Sequence, residues 1–131
     1  MSRAHAWLYR KTRGRLLGSI GRQPVLLLTT IGRRTGRRRT TPVQFVPWED
    51  ALLVVAANGG RKPPPAWFGN LRASPAVTAQ LGATVRELRA RVAVDGERER
   101  LWAKLVSANP RLATTQDGAR RQLPVVVLEP R

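Results

Sequence analysis

Five arginines, Arg33, Arg34, Arg37, Arg38 and Arg39, fall within seven residues of the segment running from Gly32 to Pro42. Each guanidinium presents a planar fork of donors that matches phosphate or carboxylate oxygens. Gly32 and Gly36 free the backbone so that amide groups can approach an anion as well. An apolar run, Val25-Leu26-Leu27-Leu28, precedes the segment, and Val43 to Val46 follows it. That arrangement describes a basic loop between two strands. Two readings fit it, a cradle for a phosphate-bearing ligand and a solvated hairpin tip.

Few other side chains could do chemistry. The chain has no cysteine, which excludes disulfides, thiolate metal sites and thiol nucleophiles. Its single histidine, His5, stands near the beginning, so neither a histidine-rich metal site nor a Ser-His-Asp triad can be built. The eight acidic residues fall at positions suited to turns, helix starts and surfaces, and no carboxylate pair suggests glycosidase-type acid–base work. A Walker loop, a GxGxxG fingerprint and a nucleophile elbow are all missing from the sequence. Such a chain is a binding protein or an enzyme whose cofactor carries the chemistry.

The net charge of +16 and a pI near 12.0 would suit nucleic acid. However, arginine supplies all but three of the 24 basic residues, and many are dispersed beside acidic neighbours. With abundant alanine, this bias is what a GC-rich genome produces. No recognition motif or aromatic stacking pattern accompanies the charge, so no specific nucleic-acid partner is expected.

At 131 residues the chain is expected to form one domain, residues 1–131. Residues 1–22 would be a basic N-terminal helix and 23–131 the core. The helical stretch, 4–20, carries Trp7, Leu8, Leu16, Leu17 and Ile20, broken by Gly14. It reads as a cover for one end of the core, with peripheral contact to anionic lipid as the alternative. No apolar run is long enough for a signal peptide or membrane span, so a cytoplasmic location is expected, with a position peripheral to the inner face of the plasma membrane as the alternative.

Residues 25–30 read as a strand, and 40–48 as an irregular edge strand because of Pro42 and Pro47. Residues 52–57 read as a strand buried on both faces, ending at Asn58-Gly59-Gly60. Residues 66–73 form a short helix stopped before Pro75. Residues 77–81 pair through Gly82-Ala83 with a strand placing Leu88, Ala90, Val92 and Val94 on one face. Val85 is off that parity, which predicts a bulge or a later strand start. Asp95 is the expected cap of a helix carrying Leu101, Trp102, Leu105 and Val106. Residues 109–122 read as polar and irregular, and 124–128 as a last buried strand. About six strands without a βαβ rhythm indicate a small, mostly antiparallel barrel or roll with flanking helices.

Four motifs in order resemble the deazaflavin-dependent nitroreductase family: Leu-Leu-Thr-Thr-x-Gly-Arg-Arg-Thr-Gly-x-x-Arg-x-x-Pro from Leu27, Val-Val-Ala-Ala-Asn-Gly-Gly from Val54, Pro-Ala-Trp-Phe-x-Asn-Leu from Pro65 and Pro-Val-Val-Val-Leu-Glu-Pro from Pro124. These are actinobacterial split β-barrel proteins that use reduced coenzyme F420, and FMN is the alternative cofactor on such a fold. The resemblance implies that Arg33, Arg34, Thr35 and Arg39 hold the phosphate and polyglutamate tail, while Arg37 and Arg38 decorate the turn. It implies that Thr40, Thr41, Pro42, Val43 and Gln44 flank the coenzyme. Backbone of Val55, Ala56, Ala57 and Asn58 would line the deazaflavin ring, and Ala66, Trp67, Phe68, Gly69 and Asn70 would form another wall.

The sequence departs from the family where substrate is handled. Three tyrosines of the best-known nitro-reducing member correspond to Asn109, Leu112 and Thr115, of which Leu112 is taken as a further coenzyme contact. A tyrosine on the second strand is replaced by Gln44, and a serine and lysine before the double glycine by Ala57 and Asn58. Asn58 and Thr115 are the remaining candidates for a catalytic hydrogen bond, and no metal is expected. The implied activity is hydride transfer from the reduced coenzyme to a small quinone, enone or nitro compound, nitroimidazoles being disfavoured. A carrier that binds the coenzyme without turnover is the alternative. The protein would be a monomer or a homodimer.

Overall fold

A computed structural model describes residues 23–131. Seven strands form one antiparallel sheet: β1 (Val25–Ile31), β2 (Arg38–Gln44), β3 (Val46–Trp48), β4 (Ala51–Val55), β5 (Ala76–Leu81), β6 (Thr84–Val92) and β7 (Val125–Pro130). The helices are α1 (Ala66–Ala73), α2 (Asp95–Ala108) and α3 (Arg111–Gly118). Strand order is β2-β1-β5-β6-β7-β4-β3.

The outermost strands of that order, β2 and β3, are consecutive in the chain, with only Phe45 between Gln44 and Val46. A connection so short brings the two edges of the sheet together. The sheet is therefore curled into a split barrel, with β2 against β4 across the seam. Phe45 N–H donates to Pro24 O (3.1 Å), carrying the β1–β2 pairing past the strand end. Residues 40–48, expected as one edge strand, are two strands that serve opposite edges.

Near-continuous apolar runs in β4 and β7 have a direct cause. Leu52 and Val54 of β4 and Val126 and Leu128 of β7 face an inner cluster with Leu26, Leu28, Val77, Leu88 and the α1 residues Trp67, Phe68 and Leu71. Alternate residues Leu53, Val125 and Val127 face an outer cluster beneath Leu101 and Leu105 of α2. Both faces of these strands are thus removed from water, which excludes polar alternation. By contrast β6 has one wet face, where Arg89 and Arg91 alternate with buried Leu88 and Ala90.

Several expectations are corrected. Seven strands replace about six. The fourth ends at Val55, so Ala56 and Ala57 belong to the turn after it. Val85 sits in an unbulged ladder opposite Gln80 and simply points outward. Val94 lies past the end of β6 and is exposed. Asp95 does not cap α2: it has φ +55 and is the first helical residue, while Val94 holds the cap position without a side-chain bond. Residues 109–122 are not wholly irregular, since they contain α3. The expected N-terminal helix, 4–20, lies outside the described residues. Among the described residues no helix is long and apolar enough to cross a membrane.

Candidate functional site

The arginine loop is built, not frayed. Gly32 N–H donates to Arg37 O (2.7 Å) and Gly36 N–H to Gly32 O (2.8 Å). Arg37 N–H donates to Thr35 Oγ1 (3.2 Å), the oxygen that a Cβ on Gly32 would meet at 2.6 Å. Gly36 supplies the left-handed φ of +71° that closes the turn. α1 fixes the loop from the side. The buried Asn70 accepts from Arg33 N–H (3.1 Å) and donates to Thr30 Oγ1 (3.2 Å).

Between this loop, β2 and the start of α1 lies a cleft of about 710 Å³, lined by Gly32, Arg33, Arg34, Thr35, Arg38, Arg39, Thr40, Thr41, Ala66, Trp67 and Asn70. Arg33 lies over α1, where a Cβ on Gly69 would stand 2.9 Å from its Nη1. Among the described residues the ion pairs involve only Arg91, so no carboxylate neutralises the arginines of the cleft. Four uncompensated guanidiniums, two on the fixed loop and two at the start of β2, can together hold a multiply charged anion.

Trp67 also borders a second, smaller cavity of about 240 Å³. Its walls are the seam residues Pro42 to Val46, Leu53 and Val55 of β4, Ala57 and Asn58 of the following turn, and Pro65. Gln23, Leu105, Asn109 and Leu112 complete it. Among the described lining residues none is titratable, and Gln23, Gln44, Asn58 and Asn109 contribute carboxamides. Asn58 Nδ2 is engaged with Pro63 O (2.7 Å), and Gln23 Nε2 with Ala108 O (2.9 Å). Asn109 is 8% exposed, and its side chain bonds no other described residue.

Most of the residues named from the sequence meet around these two hollows, with Arg33, Arg34, Thr35, Arg39, Thr40, Thr41, Ala66 and Asn70 at the cleft. Pro42, Val43, Gln44, Val55, Ala57, Asn58 and Leu112 are at the cavity, and Trp67 at both. Four residues lie elsewhere. Ala56 is wholly buried behind the wall, and Phe68 points into the inner cluster. Gly69 matters through the space it leaves for Arg33. Thr115 is on α3, its hydroxyl donating to Arg111 O (3.1 Å), against the Gly59-Gly60 turn. Arg38, expected only to decorate the turn, borders the cleft, whereas Arg37 does not. Sequence reasoning missed Gln23, Phe45, Val46, Leu53, Pro65 and Leu105. The signal available for the seam was Phe45 between two prolines, where a strand must change direction.

The split barrel thus carries an apolar cavity at its seam and a basic cleft beside it, with Trp67 bordering both. The family model described as F420H(2)-dependent quinone reductase matches residues 1–130. An F420H(2)-dependent quinone reductase of Mycobacterium tuberculosis is 37% identical over 131 residues, covering 96% of this chain and 87% of the relative. A solved F420-H2 dependent reductase, FDR-A, superposes with a TM-score of 0.74 at 34% identity, covering 81% of this chain and 94% of that one. A structure described as a domain-swapped dimer gives a TM-score of 0.75 at 32% identity, covering 94% and 97%. The chain belongs to the F420H(2)-dependent quinone reductase family, and so to the oxidoreductases that use coenzyme F420.

Proposed function

We propose that this protein reduces a small quinone with hydride from reduced coenzyme F420, the anionic tail lying in the arginine cleft and the deazaflavin in the seam cavity. The observation that carries this reading is the junction at Trp67 between an unneutralised basic cleft and an apolar cavity. The residues fit the group. Arg33, Arg34, Arg38 and Arg39 match its negative charges, and Pro42, Val43, Val55 and Leu112 suit a flat apolar ring.

When bound, the reduced deazaflavin supplies the hydride. The chain's own part is to orient ring and acceptor and to exclude water. Asn109 offers a carboxamide that bonds no other described residue, and its N–H can donate to a carbonyl oxygen of the acceptor. None of the described wall residues is titratable, so none of them supplies the proton that completes the reduction.

Titrating the protein with coenzyme F420 should quench Trp67 fluorescence with a micromolar dissociation constant. The reduced coenzyme should then be oxidised steadily by a menaquinone analogue. Absence of binding overturns the reading, while binding without oxidation identifies a carrier. The domain-swapped relative supports a homodimer for this chain as well, measurable by sedimentation equilibrium.

A further inference from the structure

Arg121 stands in the segment between α3 and β7 and borders neither hollow. Its guanidinium is nevertheless tied to the cavity wall from behind. Nε donates to Arg61 O (3.1 Å), and Nη2 donates to Ala56 O (3.2 Å) and Ala57 O (2.8 Å). Three carbonyls of one short segment, the exit from β4 and its turn, converge on one side chain. Nη1 is buried without a hydrogen-bond partner, and no carboxylate among the described residues competes for the group.

The segment turns tightly, with Gly60 N–H donating to Ala57 O (2.8 Å) and Arg61 N–H to Asn58 O (3.1 Å). Asn58, Gly59 and Gly60 have φ values of +48°, +63° and +82°, three left-handed residues in a row. Asparagine adopts that conformation more readily than most non-glycine residues, but at a cost that the contacts around Asn58 offset. On one side of this segment Val55, Ala57 and Asn58 face the cavity. On the other, Ala56 N–H donates to Pro124 O (3.0 Å), and Arg121 gathers the carbonyls.

We propose that Arg121 is a positioning residue: it holds the Ala56 to Arg61 backbone so that Val55, Ala57 and Asn58 keep the wall against which the coenzyme ring is bound. The part concerning the ring rests on the function proposed above, whereas the hold on the wall does not.

The test compares R121Q and R121K with R98Q. Arg98 is a suitable control because it too is partly buried, donates to a carbonyl (Leu123 O, 2.7 Å) and stacks on Trp102 (5.0 Å), yet borders neither hollow. Hydrogen exchange of amides 56–61 in the ligand-free protein, thermal unfolding and coenzyme F420 affinity are measured for each. R121Q should speed exchange in that segment and weaken coenzyme binding about tenfold, since several hydrogen bonds are lost together. R121K, which can serve only some of the three carbonyls, should fall between R121Q and wild type. R98Q should lower the melting temperature without altering either readout.

Wild-type exchange in the segment of R121Q, or an affinity loss no larger than that of R98Q, overturns the proposal. If R121Q does not fold, the same criteria apply to R121K. If the wild-type protein does not bind the coenzyme, the functional reading fails, and exchange alone decides whether Arg121 holds the wall.

Discussion

At Gly69 the helix α1 makes room for a charge. A Cβ there would lie 2.9 Å from Nη1 and 3.1 Å from Cζ of Arg33, the far end of a flexible side chain. G69A should therefore leave the melting temperature nearly unchanged, because Arg33 can swing away. Coenzyme binding should weaken, because the guanidinium no longer rests where the cleft needs it. Isothermal titration beside a thermal melt checks both halves. Charge reversal separates the members of the loop in the same way. R33E and R39E each remove a charge-assisted contact, which is typically worth about 1.5–3 kcal/mol, or roughly ten- to a hundredfold in affinity. R37E, outside the cleft, should cost little. Equal losses at Arg37 and Arg39 would mean that the loop acts only as a diffuse positive field.

Elements set what these residues can reach, and α2 shows how one is docked. Leu101 and Leu105 press it onto the outer face of the sheet. Arg91 of β6 clamps it, donating to Glu97 (2.6 Å) and to Glu129 of β7 (2.7 Å). The hydrogen bond from Arg91 holds the Glu97 carboxyl below the ordinary carboxylate range. A folded-state pKa depressed in this way contributes stability above the ordinary carboxylate value, and that contribution is lost as pH falls through the folded value. The melting temperature should thus hold steady from neutral pH downward and begin to decline below 4.5, the ordinary value of a glutamate. E97Q should lack this part of the decline. The effect should be small, since the pair is exposed, and melts at stepped pH will show it.

The same elements show what the sequence could reveal. α1 was legible to the residue, because a proline run precedes it, apolar residues recur at helical spacing and Pro75 follows. The paired strands β5 and β6 were legible from alternation and the Gly82 turn. α3 was not, because none of its residues is buried and no apolar stripe marks it; its position depends on α2 and on the Gly59-Gly60 turn. Asp95 misled because acidic residues favour cap positions, whereas Val94 holds that position and Asp95 follows it in a left-handed conformation with no capping bond. The arginine cleft could be read in one dimension, but Arg38 could be told from Arg37 only once the β1–β2 register was known.

For the molecule as a whole, closure of the barrel and formation of the cavity are one event. The seam runs through Pro42 to Val46, and those five residues also line the cavity. Phe45 belongs to both, 6% exposed in the inner cluster and bordering the cavity. F45A should cost about 3–5 kcal/mol, as buried Phe→Ala changes do, out of a total stability that is typically about 5–15 kcal/mol. A loss of stability alone would not distinguish a seam that forms the site from one that merely supports the fold. L101A supplies the comparison: Leu101 is 4% exposed in the outer cluster and does not border the cavity, and its truncation should cost about 2–5 kcal/mol. Both variants should melt lower by denaturant or heat. Measured where each is still folded, L101A should bind coenzyme F420 like wild type, while F45A should bind it weakly and gain less thermal stability from saturating coenzyme. Equal affinities in the two variants would place the ring away from the seam.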